Sequence, residues 1–303
     1  MSSTLIVGSR GSQLALWQAR WVQGQLASMG IESRIEIIHT TGDKITDVPL
    51  SKVGTKGLFT KEIEEALLSK QIDLAVHSLK DMPTGLPAGL VLAAIPERED
   101  PRDALIGRTL AALQNGARVG TSSLRRSAQL KAIRPDLEVV SVRGNLDTRL
   151  RKLDDGQYDA ILLAAAGLRR LGWQNRIAEL LAPETMCPAV GQGALAVETR
   201  DDGGPGFAAA CKLDDAMTRA AVTAERAVLA AMGGGCQVPL GAHALIVGSS
   251  LHLRAAVAAP DGSLLVKRES QGPVASAEQL GRLLADELLA SGARAILDQV
   301  SQL

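Results

Sequence analysis

Aromatic side chains are almost missing from this chain: two Phe, one Tyr and three Trp among 303 residues, 2% of the total. Binders of single-stranded nucleic acid stack bases on several exposed rings, so this composition argues against that class. A positive surplus is missing too, since 33 Lys and Arg face 33 Asp and Glu, and no nucleic-acid partner is expected. Cysteine is scarce: Cys187, Cys211 and Cys236 are odd in number, far apart and without a Cys-x-x-Cys pair, which is no disulfide framework. A reducing compartment follows, and we expect a cytoplasmic protein. His39, His77, His243 and His252 fall in no metal-ligand spacing, so no metal is expected. No run of about 18 apolar residues occurs, and no basic segment with a signal core opens the chain, so no membrane partner is expected.

What is present is an ordinary globular composition, 46% hydrophobic and 22% charged, with length for about two or three domains. Short β-rich runs alternate with helical periodicity. Leu5 to Gly8 reads as a strand, Ser12 to Met29 as a helix capped by Ser12 and ended by Gly30, and Arg34 to His39 as a second strand. A helix near Thr60 to Ser69 and a strand Asp73 to Val76 follow a long Gly/Pro-bearing connection, Thr40 to Leu58, whose length marks it as a functional loop. After a strand Leu90 to Ile95, the proline-bracketed charged stretch Pro96 to Asp103 reads as a crossover between domains.

A second set of alternating elements runs from Ala117 to Leu171, which predicts a mostly parallel sheet. The strand Ala194 to Thr199 is placed to return to the first sheet. From about Ala216 a long helix, a triple glycine, three strands with a Pro260-Asp261-Gly262 turn, and two C-terminal helices make a smaller α+β region. The expected division is 1–98 with 194–214, then 99–193, then 215–303.

Zero net charge hides a segment, Arg98 to Arg176, with 13 Arg and 2 Lys against 9 acidic residues. Its basic residues sit at turns and helix starts: Ser123-Leu124-Arg125-Arg126, Arg143-Gly144-Asn145 and Arg149. Backbone N–H groups and guanidinium forks converge on oxyanions at such places. Any one of these Arg read alone is equally a solvated surface side chain, whereas the cluster points to an anionic ligand. Two further features carry chemistry. The string Gly233-Gly234-Gly235-Cys236 leaves a thiol unobstructed for covalent bonding, against the plain alternative of a small buried residue. Asp81 follows the strand ending at Val76, where ligands of open α/β sheets bind, although a turn Asp capping its own backbone reads the same way.

Together these strings resemble the porphobilinogen deaminase family. The resemblance runs through Ser9 to Trp17, Gly54 to Phe59, His77 to Pro83, Glu97 to Ala104, Gly120 to Arg126, Arg143 to Asn145, Ala189 to Ala194 and Gly234 to Pro239, in family order. It implies two type II periplasmic-binding-protein-like α/β domains with the ligand in their cleft, plus a third α+β domain. It implies a dipyrromethane held by a thioether at Cys236, on which four porphobilinogen molecules lose ammonia and join head to tail into hydroxymethylbilane for porphyrin and haem biosynthesis. Asp81 takes the role of the carboxylate that holds pyrrole N–H groups and stabilises azafulvenium-like cations.

By the same resemblance Arg10, Ser12, Lys80, Ser123, Arg125, Arg126, Arg143, Arg149, Arg170 and Gln192 bind substrate or primer, Lys56 and Phe59 belong to a lid, and the protein is a monomer. Rival readings are a non-catalytic solute-binding clamp for a small anion, which needs neither Cys236 nor a third domain, and a cysteine-dependent acyl transferase, which wants a histidine beside the thiol.

Overall fold

The structure is a computed structural model and describes residues 4–44, 60–234 and 238–301. Along the chain come β1 (Leu5–Ser9), α1 (Gln13–Ser28), β2 (Ser33–Ile37), α2 (Thr41–Lys44), α3 (Lys61–Leu68), β3 (Leu74–Ser78) and β4 (Leu90–Ala94). Then follow β5 (Asp103–Ile106), β6 (Arg118–Gly120), α4 (Leu124–Ile133), β7 (Glu138–Val140), α5 (Leu146–Asp154), β8 (Ala160–Ala164), α6 (Ala165–Arg170) and β9 (Ile177–Leu181). The chain continues with β10 (Leu195–Arg200), α7 (Pro205–Cys211), α8 (Ala216–Ala231), β11 (Leu240–Val247), β12 (Ser250–Ala258), β13 (Leu265–Pro273), α9 (Ala277–Leu288) and α10 (Arg294–Ser301).

Two compact units result: residues 1–99 with 194–219, and residues 100–193 with 220–303. The first holds one five-stranded sheet in the order β2-β1-β3-β10-β4. The second holds another five-stranded sheet, β7-β6-β8-β5-β9, and the three-stranded β11-β12-β13. Both five-stranded sheets share one plan: three parallel strands, then an antiparallel strand between the third and the last. The second sheet, expected to be mostly parallel, has four of its five strands running in one direction and β5 against them. The reason is connectivity, because β5 and β10 each begin just after the chain has changed units and run against their neighbours. The return of the Ala194 strand to the first sheet is as expected, between β3 and β4.

Local chemistry accounts for the elements. Ser12 caps α1 by accepting from Ala15 N, Gly30 follows at φ 73, and Ala19, Val22 and Leu26 repeat at helical spacing and are fully buried against β1 and β3. Each such Val or Leu contributes about 1.5–3 kcal/mol by burial. In the second unit α9 packs so closely on α8 that a Cβ on Gly281 would lie 2.3 Å from Ala224 O. The hairpin between β12 and β13 turns at Gly262, φ 81, whose N–H donates to Ala259 O.

Candidate functional site

In the first unit, β1 and β3 are adjacent and parallel, so the segments leaving their C-terminal ends emerge on one edge of the sheet. Arg10 and Ser12 lie on the β1 exit, and Lys80 and Asp81 on the β3 exit. Gln18 of α1 ties these exits together by donating to Ser78 Oγ at 2.9 Å. After β3 the chain makes a single 3-10 turn, with Leu79 N donating to Ala194 O and Met82 N to Leu79 O. Leu79 and Met82 are buried and pin that turn at both ends. Asp81, between them, is exposed, and its carboxylate has no hydrogen bond or ion pair to any described residue. It is not the self-capping turn aspartate that the local sequence also allowed.

The second unit repeats this edge. Thr121 to Ser123 follow β6, Arg143 to Asn145 follow β7, and α6 follows β8, all three strands being parallel neighbours. Ser123 caps α4 by accepting from Arg126 N. Asn145 starts α5 without a side-chain cap, just after Gly144 at φ 109, while Arg149 Nε donates to Gly144 O at 2.7 Å. Arg143 and Arg149 are half-buried.

Arg125 and Arg126 are not solvated surface residues: they are 4% and 6% exposed and converge on Asp103, which is fully buried at the start of β5. Arg125 Nη1 and Nη2 donate to Asp103 Oδ2 and Oδ1 at 2.6 and 3.2 Å, and Arg126 Nε donates to Oδ1 at 2.9 Å. Gln192 Nε2 donates to the same Oδ1 at 2.9 Å, and Arg170 Nη2 donates to Gly193 O at 2.6 Å. Burial pushes the Asp103 carboxyl up, but the charges of Arg125 and Arg126 and the hydrogen bonds from Arg125 and Gln192 outweigh it and hold the group far below the usual carboxylate range. Asp103 lies in the Glu97 to Ala104 string but was not among the candidate site residues. Its only local signal is an acid opening the wholly apolar run Ala104-Leu105-Ile106.

Three more buried acids escaped the sequence reading. Glu225 of α8 accepts from Gly191 N at 2.7 Å and Ala244 N at 2.8 Å, and so holds the Gly191-Gln192-Gly193 loop against β11. In the first unit His77 Nε2 meets Glu198 at 3.0 Å, with Glu64 of α3 buried nearby. Burial raises the Glu64 pKa, and the charge of Glu198 adds to the rise. A carboxyl whose folded pKa is raised gives its stability fully below the unfolded value and loses it as pH rises through the folded value. Glu64→Gln is therefore expected to raise Tm at neutral pH by a few degrees, with the gain shrinking toward pH 4.5, the ordinary value for Glu. Melts across that range check it, and a gain that grows on acidification contradicts it.

Cys187 is buried, with its pKa pushed up to about 12 by burial, and Cys211 is exposed at the end of α7. Cys236, Lys56 and Phe59 lie outside the described residues. Among the described residues no group of three or more His, Cys, Asp or Glu is placed to hold a metal, and no helix is long and apolar enough to cross a membrane. A cavity of about 580 Å³ lies on the β11–β13 sheet, lined by His243, His252 and Arg254 among others, and contains none of the candidate site residues.

The residues present suit the primer that the resemblance implies, which carries about four carboxylates. Arg125 Nε is a buried donor without an acceptor, and α5 begins without a side-chain cap. Both are donors of the kind a carboxylate takes.

Comparison with known proteins bears on the same segments. Residues 5–204 match the family model described as porphobilinogen deaminase, dipyromethane cofactor binding domain, and residues 219–290 match its C-terminal domain. The chain is 51% identical to a porphobilinogen deaminase of Syntrophobacter fumaroxidans, covering 97% of each chain. It is 54% identical to one of Syntrophotalea carbinolica, over 98% of this chain and 96% of that one, and 54% identical to one of Roseiflexus, over 98% and 99%. Among solved structures it is similar to a periplasmic substrate-binding protein of Coxiella burnetii, at 14% identity over 69% of this chain and 91% of that one, with a TM-score of 0.43. With a family model spanning two thirds of its length and relatives above half identity end to end, the chain belongs to the porphobilinogen deaminase family.

Proposed function

We propose that this protein is a transferase that deaminates four porphobilinogen molecules and joins them head to tail on a bound primer, releasing four ammonia, after which one water cleaves the tetrapyrrole from the primer as hydroxymethylbilane, a step of porphyrin and haem biosynthesis. The observation that carries this reading is the retention of every family string, in order, in a chain more than 50% identical to its relatives over at least 97% of its length. A clamp that only bound a small anion would need neither the Cys236 string nor the C-terminal region.

A dipyrromethane bound through Cys236 supplies the pyrrole carbon from which the new chain starts. The protein's own residues do the rest. Asp81, held outward between two buried anchors, accepts pyrrole N–H groups and offsets positive charge that develops on the substrate as ammonia leaves. Arg10, Ser12 and Lys80 on the first edge, and Ser123, Arg125, Arg126, Arg143, Arg149, Arg170 and Gln192 on the second, hold the acetate and propionate groups. Lys56 and Phe59 belong to a covering loop. The domains are 1–98 with 194–214, 99–193 and 215–303, and the protein works as a cytoplasmic monomer with neither nucleic acid nor membrane as partner.

Incubation with porphobilinogen tests this directly: four ammonia are expected per hydroxymethylbilane, and a protein that binds porphobilinogen without releasing ammonia contradicts it. In the same assay Arg143→Ala and Arg149→Ala should each lose about 10-fold or more, from about 1.5–3 kcal/mol per charge-assisted contact, with partly elongated adducts visible by intact mass. Arg294→Ala in α10, remote in sequence from every family string, should be near normal. Equal behaviour of all three variants would remove the anion-binding role from Arg143 and Arg149.

A further inference from the structure

The first unit buries two acids that the proposed mechanism does not use. Val76 and Val197 pack with α1 on one face of the sheet, so their strand neighbours Ala75, His77 and Glu198 lie on the other, where Ile63, Ala66 and Leu67 of α3 pack. Glu198 is fully buried and Glu64 of α3 is 8% exposed. His77 Nε2 meets Glu198 Oε2 at 3.0 Å, but Glu198 Oε1 and Glu64 Oε1 are both buried without a hydrogen-bond partner among the described residues. Thr60, at the start of α3, has its hydroxyl beside Glu64, and that one donor still leaves Glu198 Oε1 without any.

Ionised carboxylates only accept, so neither acid can satisfy the other while both are charged; one proton between the two orphan oxygens satisfies both. The surroundings favour that proton. The strands β1 and β4, also packed against α3, carry no charged residue. From β10 comes Arg200, whose Nη1 is taken by Leu67 O and Ile72 O and whose Nε is taken by Asp202. On α3 itself Lys61 and Glu65 are exposed, and Glu62 is engaged by Thr41. Among the described residues His77 is left as the one cationic group facing two buried acids.

We propose that Glu64 and Glu198 hold one proton between them, and that this proton clasps α3 to the β3–β10 face, so that α3 loosens as pH rises. The inference rests on these groups and not on the function proposed above. Its effect reaches the candidate site, because β3 runs from His77 directly into the Asp81 turn, and Ala194, just before β10, holds that turn by accepting from Leu79 N. Burial first, and then the charge of Glu198, raise the Glu64 pKa, whereas a Glu64 freed from the sheet returns to its ordinary value of 4.5. The clasp is therefore at full strength below that ordinary value and is lost as pH rises through the folded one.

The proton and the helix are read separately. Infrared spectra across pH should show a protonated-carboxyl band that persists above about pH 6 in wild type and is missing in Glu64→Gln. In Glu198→Gln the band should titrate lower by about one pH unit or more, since the second charge is gone. Amide hydrogen exchange in α3, corrected for the intrinsic effect of pH, should lose about tenfold or more of its protection between about pH 5 and 8 in wild type. It should lose far less in Glu64→Gln, whose amide can donate to Glu198 at every pH. Absence of the band, or a band whose titration Glu198→Gln leaves in place, overturns the shared proton. Equal pH dependence of α3 exchange in wild type and Glu64→Gln overturns the clasp, and that comparison decides alone if Glu198→Gln does not fold.

Discussion

Asp81→Asn is expected to fold, to melt within a degree or two of wild type, and to turn over porphobilinogen at least a hundredfold more slowly, a loss of roughly 2.7 kcal/mol or more in transition-state stabilisation. The expectation of normal folding comes from the turn itself. Leu79 and Met82 carry its burial, Leu79 N and Met82 N carry its hydrogen bonds, and the Asp81 carboxylate bonds to no described residue. The expectation of lost turnover comes from charge. A carboxylate about 4 Å from a developing pyrrole cation, at an effective dielectric near 20, contributes roughly 4 kcal/mol, or about a thousandfold if the charge exists only in the transition state. Asn retains an acceptor for pyrrole N–H groups, so KM should move less than kcat. Steady-state kinetics beside a melt decides the matter: near-normal kcat rejects electrostatic stabilisation, and a collapsed Tm makes Asp81 a structural residue.

Cys236→Ser should carry no covalent primer and give no measurable turnover, whereas Cys187→Ser and Cys211→Ser keep the primer. The three thiols differ in chemistry. Cys187 is 2% exposed with its pKa pushed up to about 12, and its backbone N–H and carbonyl are engaged by Gln129 and Arg125, so its thiolate is neither formed nor reachable at neutral pH. Cys211 is exposed at the end of α7 and belongs to none of the family strings. Cys236 follows three glycines, none of which carries a side chain. A thioether retained in Cys236→Ser would move the attachment elsewhere, and Cys211 would be the first position to examine by peptide mapping.

The parts of this architecture that follow local rules were legible in the sequence. Ser12 and Gly30 bracket α1, the Pro260-Asp261-Gly262 turn joins β12 to β13, and strands such as Leu90–Ala94 announce themselves by apolar runs. Four elements were not, among them α2, which lies in the stretch read as a connection. The four residues of β5 sit behind a charged, proline-bracketed stretch that reads as linker, α7 follows directly on a glycine-rich turn with almost no polar face, and β9 is a five-residue run interrupted by Glu179. The antiparallel insertion of β5 and β10 is a long-range fact with no local signature, because it depends on where the chain changes units.

The site divides in the same way. Asp81 and the Arg-bearing turns were found by their place after strands. Asp103 binds arginines 22 and 23 residues away, and His77 binds Glu198 at a separation of 121, so neither pairing leaves a periodicity to read. The arginines were recognised as a cluster, but their burial became visible only once β5 was placed beside β8.

The central claim is that new pyrrole units are added to a group already bonded to this chain. Intact mass of the purified protein, before and after brief exposure to porphobilinogen, tests it most directly. The account predicts a starting mass above that of the sequence by one dipyrromethane, a ladder of further increments of one pyrrole unit each on exposure, and a return to the starting mass as product leaves. An active protein whose mass equals that of its sequence, with no ladder, would contradict it.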